Sequence, residues 1–302
     1  MLYVAQTALE LGFQYALVAM ALFLSYRVLD IADLTTDGCF VLGCAVSVTL
    51  TAAGHPFLAI PAAMLAGACA GFVTAFLQTK LGVPSILAGI VTNTGLYTIN
   101  LMAMGWKSNV SLLKQGTIFS LFRGTGIGGE WYETVLAAAI TVVAGLALVW
   151  FLGTRLGLSI RATGDNRDMV RASSVNPTFT ITVGLCVSNA LTALSGAVVG
   201  QAQKTIDING GTGVVVIGLA CLIIGETIVG RGHVFRSVIA VIVGSVVYRF
   251  IYAIVLTTRV VPIECLKLVT AIIVGLAIAM PSLKKWWTFQ RRKLAAGRKG
   301  GN

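Results

Sequence analysis

The sequence has little charge and few of the patterns that catalysis or metal binding requires. Charged residues make up 11% of the 302 residues and hydrophobic residues 57%, which excludes a soluble globular domain because too few polar side chains remain to cover one. The six cysteines form no C-x-x-C pair, so neither a metal site nor a disulfide framework is predicted. No Walker A sequence or Ser-His-Asp set is present. We therefore expect neither enzymatic activity nor a cofactor.

Apolar runs of helix length occupy most of the chain instead. A helix needs about 20 apolar residues to span a bilayer. Nine runs qualify: 11–29, 34–53, 56–79, 85–104, 131–153, 178–200, 214–229, 237–256 and 263–281. The second and seventh open with glycine and polar residues, which leaves open whether they cross fully. The sequence predicts an all-α polytopic membrane protein with about nine transmembrane helices.

Basic residues are concentrated on one side of these spans. If the 154–177 loop and the tail 282–302 share a side, that side holds most of the 22 Lys and Arg residues. Basic loops stay in the cytoplasm, so we expect the N-terminus outside and the C-terminus inside a cell membrane. The cations of the tail then face anionic membrane lipid rather than nucleic acid.

Two segments, 34–45 and 209–220, share the pattern G-x-x-x-x-G-x-A at an offset of 175 residues. The same offset carries spans 11–29, 56–79 and 85–104 close to other assigned spans. Span 131–153 is left between the copies, and one extra helix inverts the second copy. We predict two inverted repeats, about 11–104 and 178–281, an arrangement typical of transporters that rock around a central site.

The one long polar segment inside the chain is 154–177, which reads TRLGLSIRATGDNRDMVRASSVNP. Gly164, Asp165 and Asn166 form a helix-start signal, and Pro177 marks the stop. The segment predicts a short surface helix over 165–174. Its basic face carries Arg167 and Arg171, and its apolar edge carries Met169, Val170 and Ala172. The residues alone leave two interpretations open: the helix is gripped by a cytosolic partner, or it rests on lipid.

The pattern Ala162-x-Gly164-x-Asn166, followed by a short helix and Val175-Asn176, resembles the coupling-helix loop of one transporter family. This is the branched-chain amino acid and ribose permease family of bacterial ABC importers. Stretches 27–47 and 217–245 also resemble it, in its branch of poorly characterised permeases. The sequence departs from the family at Met169-Val170, where a small Ala pair is usual, and at Ser174, where Gly is usual.

The resemblance implies the fold of a type II ABC importer, with two inverted four-helix repeats separated by a helix. It implies a cytosolic ATPase subunit whose cleft takes the 165–174 helix, an extracytoplasmic substrate-binding protein, and a homodimer or paired permease. The coupling residues expected from it are Gly164, Asp165, Asn166, Arg167, Met169, Val170, Arg171 and Ala172. Residues 230–233 are a possible second contact.

Polar residues within the spans supply the candidates for a translocation pathway. Asn93, Tyr97 and Asn100 form a stripe on the fourth span, while a stripe of Ser188, Thr192 and Ser195 follows the sixth. Such stripes either line a hydrophilic path or form hydrogen bonds between helices. Glu226 and Arg249 are intramembrane charges and join the pathway candidates. For Glu226 the alternative is an anchor for the Arg231 loop, and for Arg249 a structural tie to a carbonyl or to Glu264.

Three aspartates, Asp30, Asp33 and Asp37, precede or open the second span. On the predicted topology they lie at the cytoplasmic interface, where we expect them to cap the helix or meet Arg27.

The interpretation that these features favour is an importer subunit for a small polar solute. An amino acid is preferred, and a sugar or nucleoside stays open. The main alternative is an ion-coupled secondary transporter that uses Asp33, Glu226 or Arg249 as its coupling charge. A passive channel is disfavoured because the 165–174 helix would then have no role.

Overall fold

The computed structural model describes residues 2–112, 116–124, 129–230 and 232–257, and a few residues between 268 and 279. Most of the predicted ninth span, 263–281, and the predicted tail, 282–302, lie outside the described residues. So do Arg231 and Glu264.

Helices dominate the described chain. Their bounds are α1 Leu2–Leu22, which continues as a π-helix over Phe23–Val28, α2 Thr36–Ala52, α3 Pro56–Thr79, α4 Ser85–Ala103, α5 Ile118–Arg123, α6 Tyr132–Gly153, α7 Arg155–Asp165, α8 Arg167–Ala172, α9 Pro177–Gln203, α10 Val214–Val229 and α11 Val234–Thr257. Two short strands, β1 Asn109–Ser111 and β2 Thr205–Asp207, pair antiparallel. Among the described residues, six helices are long and apolar enough to cross a membrane: α1 with its continuation, α3, α4, α6, α9 and α11.

Residues 155–165, which the sequence predicts as part of a loop, form α7. The Thr154 hydroxyl accepts a hydrogen bond from the Gly157 N–H at 3.2 Å and so caps the first turn. Gly157, Ile160 and Thr163 are buried at a spacing of three residues, which is one face of a helix. This segment has too few apolar residues to show as a span, and its helix is stabilised by packing on that one face.

Hydrogen bonds between α1 and α9 establish that the two repeats run in opposite directions. The Ser188 hydroxyl donates to the Ala21 carbonyl at 2.8 Å, and the Ser195 hydroxyl donates to the Gln14 carbonyl at 2.7 Å. Positions rise along α9 as they fall along α1, so the helices are antiparallel. The offset of 175 carries 2–28 onto 177–203, the bounds of α9, and carries α2 and α3 to within three residues of α10 and α11.

The helices α2 and α10 are half-helices that begin inside the bundle. The Cys39 thiol contacts the Asn189 carbonyl at 3.2 Å, and Asn189 lies 12 residues into α9, about 18 Å from its start. Asp33 and Asp37 therefore lie deep in the bundle, and the expectation that they mark a cytoplasmic interface was wrong. The chain must turn back inside the bundle to enter α2, a geometry that composition does not reveal.

Close backbone contact locks α2 against α9. A Cβ atom at Gly43 would overlap the Ala193 carbonyl, and one at Gly196 would overlap the Phe40 carbonyl. Only glycine permits this approach because it has no Cβ atom. Such close packing matters in a bilayer, where helices associate through packing rather than through the hydrophobic effect. The small residues that the sequence supplies thus fix where α2 sits.

The two ends of the bundle differ. One end, the strand side, carries β1 and β2, and there the Gln201 amide nitrogen donates to the Ser47 hydroxyl at 3.0 Å and the Pro56 carbonyl at 3.2 Å. The other end, the α8 side, carries α7, α8 and the start of α9. The Gln201 bonds tie α9 to α2 and α3 on the strand side.

Candidate translocation cavity and docking helix

A cavity of about 330 Å³ lies where α2 and α10 begin. The stripe residues Asn93, Tyr97 and Asn100 all line it from α4, and Asp37 lines it from α2. The structure therefore brings together three of the residues that the sequence nominated for a pathway. The loop before α10 forms the remaining wall.

The carboxylate of Asp37 joins the two half-helices. Its oxygens accept hydrogen bonds from the Gly213 N–H at 3.0 Å and from the Val215 N–H at 2.8 Å. These N–H groups belong to the first turn of α10, which has no carbonyl partners of its own. Asp37 caps the opposite half-helix rather than its own, an assignment that needs the tertiary fold.

Asn100 is held against the start of α2. Its amide nitrogen donates to the Gly38 carbonyl at 3.0 Å, and the residue is 2% exposed. Tyr97, by contrast, is 51% exposed, so the cavity opens along the outer side of α4. The buried end of the cavity is therefore at Asn100, whereas Asp37 is half-buried.

Sequence reasoning missed two polar residues of the cavity wall, Asn209 and Thr212, which line it from the loop before α10. A signal for Thr212 was present, because the offset of 175 aligns it with Asp37. The two segments that carry the repeated pattern therefore supply both facing walls of the cavity.

Glu226 and Arg249 do not line this cavity. The Glu226 carboxylate lies 3.0 Å from the Arg27 guanidinium, so it pairs across the repeats on the α8 side. Arg249 is 8% exposed, and its guanidinium carbon lies 3.7 Å from the ring centre of Tyr15, a cation–π contact. A tie to Glu264 falls outside the described residues.

Asp33 and the serine stripe have structural hydrogen bonds. The Asp33 carboxylate accepts from the Thr35 N–H at 2.9 Å and from the Asn189 amide at 2.7 Å. Ser188 and Ser195 bond α1, whereas Thr192 bonds the Ser188 carbonyl of its own helix. The stripe on α9 therefore serves contacts within and between helices.

Helix α8 lies at the surface of the α8 side. The Asn166 side chain accepts hydrogen bonds from the Asp168 and Met169 N–H groups at 3.0 and 3.1 Å, so it is the cap that the sequence predicted. The helix ends at Ala172, before Ser174, which takes a φ of +61°. The observed helix is thus shorter than the predicted 165–174, and Gly164 and Asp165 form the last turn of α7.

The apolar edge of α8 contains one buried residue and one exposed residue. Val170 is 3% exposed and holds the helix to the bundle, whereas Met169 is 62% exposed and points away. Arg167, Arg171 and Ala172 are exposed as well. The exposed surface of α8 therefore combines one large apolar side chain with two cations and the carboxylate of Asp168.

Contacts at the end of α7 connect α8 to the repeats. Gly164 packs so closely on Val28 that a Cβ atom would overlap the Val28 carbonyl. The hydroxyls of Thr163 and Thr180 are 2.8 Å apart. These contacts tie the end of α7, which directly precedes α8, to the last turn of the α1 segment and to the start of α9.

Inverted repeats with a polar cavity at the meeting point of two half-helices define a membrane transport protein. Residues 5–281 match the profile described as branched-chain amino acid transport system, permease component. The chain belongs to this family of ABC importer permeases, and is a multi-pass plasma-membrane protein. Permeases of this family are membrane components and not themselves enzymes, and membership implies a separate ATPase partner.

Curated relatives agree with this assignment. The chain is 34% identical over 269 residues to the tyrosine transport system permease protein of Clostridioides difficile, which covers 89% of this chain and 88% of that protein. It is 32% identical over 283 residues to an uncharacterised protein of Rickettsia prowazekii, covering 92% and 97%. The ribose import permease protein of Haemophilus influenzae is 25% identical over 218 residues, covering 70% and 66%.

One solved structure also resembles the chain. It is described as an inward-facing conformation of a metal-chelate type ABC transporter, with a TM-score of 0.49 and 14% identity over 93% of this chain and 85% of that one. That degree of likeness carries no functional argument.

Proposed function

We propose that this chain is the membrane-spanning subunit of an ATP-driven importer for a small polar solute. It works as a homodimer or with a similar permease, on two cytosolic ATPase subunits, and receives solute from an extracytoplasmic binding protein. The α8 side faces the cytoplasm, with the N-terminus outside and the C-terminus inside. Energy comes from the ATPase subunits.

The geometry of α8 is the observation that carries this proposal. Met169 is exposed on a capped helix whose Val170 is anchored, and Arg167 and Arg171 flank it. The tight contact of Gly164 with Val28 ties the end of α7, just before α8, to the first repeat, which supports a mechanical role for the segment. These features support the proposal that the expected coupling residues are the surface that an ATPase cleft contacts.

An amino acid is the solute class that we favour. The Clostridioides difficile relative is named for tyrosine transport, and the Haemophilus influenzae relative for ribose import. Both solutes are small and rich in hydrogen-bonding groups, as the polar stripe of α4 would require. We take L-tyrosine as the first solute to test because that relative is the more similar one.

The test is ATP-dependent uptake into vesicles that hold the chain with the ATPase and binding protein encoded beside it. We expect Arg171→Glu to abolish uptake and solute-stimulated ATP hydrolysis while the thermal unfolding midpoint stays within a few degrees. Lys107→Glu is the matched control, since Lys107 is an exposed cation that follows the C-terminal end of α4, on the strand side of the bundle. It should leave both activities intact.

Two results would contradict the proposal. Uptake by this chain alone, driven by an imposed proton or sodium gradient without ATP, would establish a secondary transporter. Full coupling in Arg171→Glu and Met169→Asp together would mean that α8 is not the surface that the ATPase contacts.

A further inference from the structure

The cavity at the half-helix junction contains an acceptor that no described residue satisfies. Asn100 uses its amide nitrogen for the Gly38 carbonyl, but its carbonyl oxygen is buried and has no hydrogen-bond partner among the residues that the structure describes. A buried polar atom without a partner is costly, and more so in a bilayer. Asn100 therefore holds an unused acceptor within the wall at the buried end of the cavity.

The charge of the cavity wall has one sign. Among the described residues that line it, Asp37 is the only carboxylic acid, and none is a Lys, Arg or His. The two N–H groups that donate hydrogen bonds to Asp37 are neutral. They therefore hold the carboxylate in place without cancelling its charge. A cation or a neutral hydrogen-bond donor is favoured there, and an anionic group is disfavoured.

Size and depth restrict the ligand further. A volume of about 330 Å³ is at the small end of the range for ligand pockets. Sites in inverted-repeat transporters form where discontinuous helices meet, near the bilayer midplane. Here α2 and α10 meet at Asp37, and the half-exposed Tyr97 marks the open side.

We propose that this cavity is a transit site for the solute, and that it receives the solute's N–H-bearing end, such as the α-ammonium group of an amino acid. The Asn100 oxygen accepts a hydrogen bond from that group, and the Asp37 carboxylate supplies the opposing charge. Tyr97 and Thr94 contact the rest of the solute toward the open side. This inference deepens the proposed function and rests on it for the identity of the ligand.

Charged thiol reagents test the preference of the cavity without knowledge of the solute. In the assembled complex with Cys69, Cys186 and Cys265 replaced by alanine, Thr94→Cys is labelled with a cationic trimethylammonium methanethiosulfonate or its anionic sulfonate counterpart. We expect the cation-to-anion rate ratio to exceed that at Thr98→Cys by about tenfold. Thr98 is the control because it is exposed on the same helix but does not line the cavity.

Substitutions in the cavity wall test which residue causes the preference for the cationic reagent. Asp37→Asn should reduce the ratio at Thr94→Cys to the control value, and Asn100→Asp, which adds a carboxylate, should raise it. The second variant decides the matter if the first does not fold. Equal ratios at the two cysteines, or no response to either change, would overturn the proposal.

Uptake measurements then link the cavity to transport. Asn100→Leu should raise the KM for the transported amino acid about tenfold, the effect of one charge-assisted hydrogen bond, whereas Thr98→Val should not change it. An unchanged KM in Asn100→Leu would overturn the transit site. If the wild-type complex takes up no amino acid, the proposed function has failed in its solute, while the labelling ratio still decides the charge preference of the cavity.

Discussion

The guanidinium of Arg27 lies 3.0 Å from the carboxylate of Glu226, and this contact joins the first repeat to the second. Arg27 is in the last turn of the α1 segment, and Glu226 is in the last turn of α10. The same α1 turn contains Val28, against which Gly164 packs. The ion pair and the contact with α7 therefore share one turn, and the proposed function predicts that movement of α7 and α8 acts on the ion pair and, through α10, on the wall of the cavity.

Charge reversal at the ion pair tests that connection. Arg27→Glu and Glu226→Arg should each lower ATP-dependent uptake several-fold, and the double exchange should restore most of it. Because the Arg27 side chain is 41% exposed but that of Glu226 only 10%, we expect each single change to cost about 1–2 kcal/mol of stability. Uptake and thermal unfolding of all three variants provide the measurement, and a double variant no better than the singles would refute the coupling.

The buried bond between Asp33 and Asn189 should be essential for stability. Asn189→Leu removes the donor to a carboxylate that is 3% exposed, so we expect a loss of about 2–4 kcal/mol. Adding Asp33→Asn should recover part of that loss, since a neutral amide is less costly to bury. Unfolding free energies in detergent complete the cycle, and strict additivity of the two changes would contradict a direct interaction.

Packing between α2 and α9 depends on the absence of a side chain at Gly43. Gly43→Ala must displace the Ala193 backbone, for which we expect a cost of about 1–3 kcal/mol. Gly95→Ala in α4 is the matched control, because a Cβ atom there meets nothing within 4 Å. The two variants are compared by their thermal unfolding midpoints, and equal midpoints would refute the close-contact argument.

The two asparagine caps around α8 should separate coupling from stability. Asn166→Ala removes the cap of α8 and should weaken that helix by about 1 kcal/mol, with reduced ATPase coupling and little change in global unfolding. Asn176→Ala removes the cap of α9, a long helix of the bundle, and should lower the unfolding midpoint while coupling persists. Identical effects of both variants on coupling would show that the α8 cap has no special role.

The sequence predicted the spans well where apolar composition and helix ends coincide. Segments 56–79 and 214–229 have the bounds of α3 and α10, although of the two only α3 is long enough to cross a membrane, and Asn166 is the cap that its position indicated. The offset of 175 residues also relates the observed helices of the two repeats. Helix α7 was missed because its segment is polar overall and was interpreted as part of the loop between two spans.

The site residues were predicted correctly where helix periodicity applied, and not where charge was the only signal. The period of seven residues from Asn93 to Asn100 placed those residues on one helix face, and they do line one cavity. Glu226 and Arg249 were nominated by charge alone, and their contacts are with Arg27 and Tyr15. A charged side chain within a span indicates that it has an interaction partner, but the sequence does not identify which residue that partner is.

Composition by itself determined that the chain crosses a membrane several times, and the repeated glycine pattern at an offset of 175 residues indicated two inverted repeats with a polar segment between them. This is because burial in lipid and helix periodicity are local properties that each segment carries. Only the tertiary structure decided that α2 and α10 are half-helices whose first turns meet at Asp37. That junction depends on backbone contacts between residues more than 170 positions apart, such as Asp37 and Val215, for which no local preference exists.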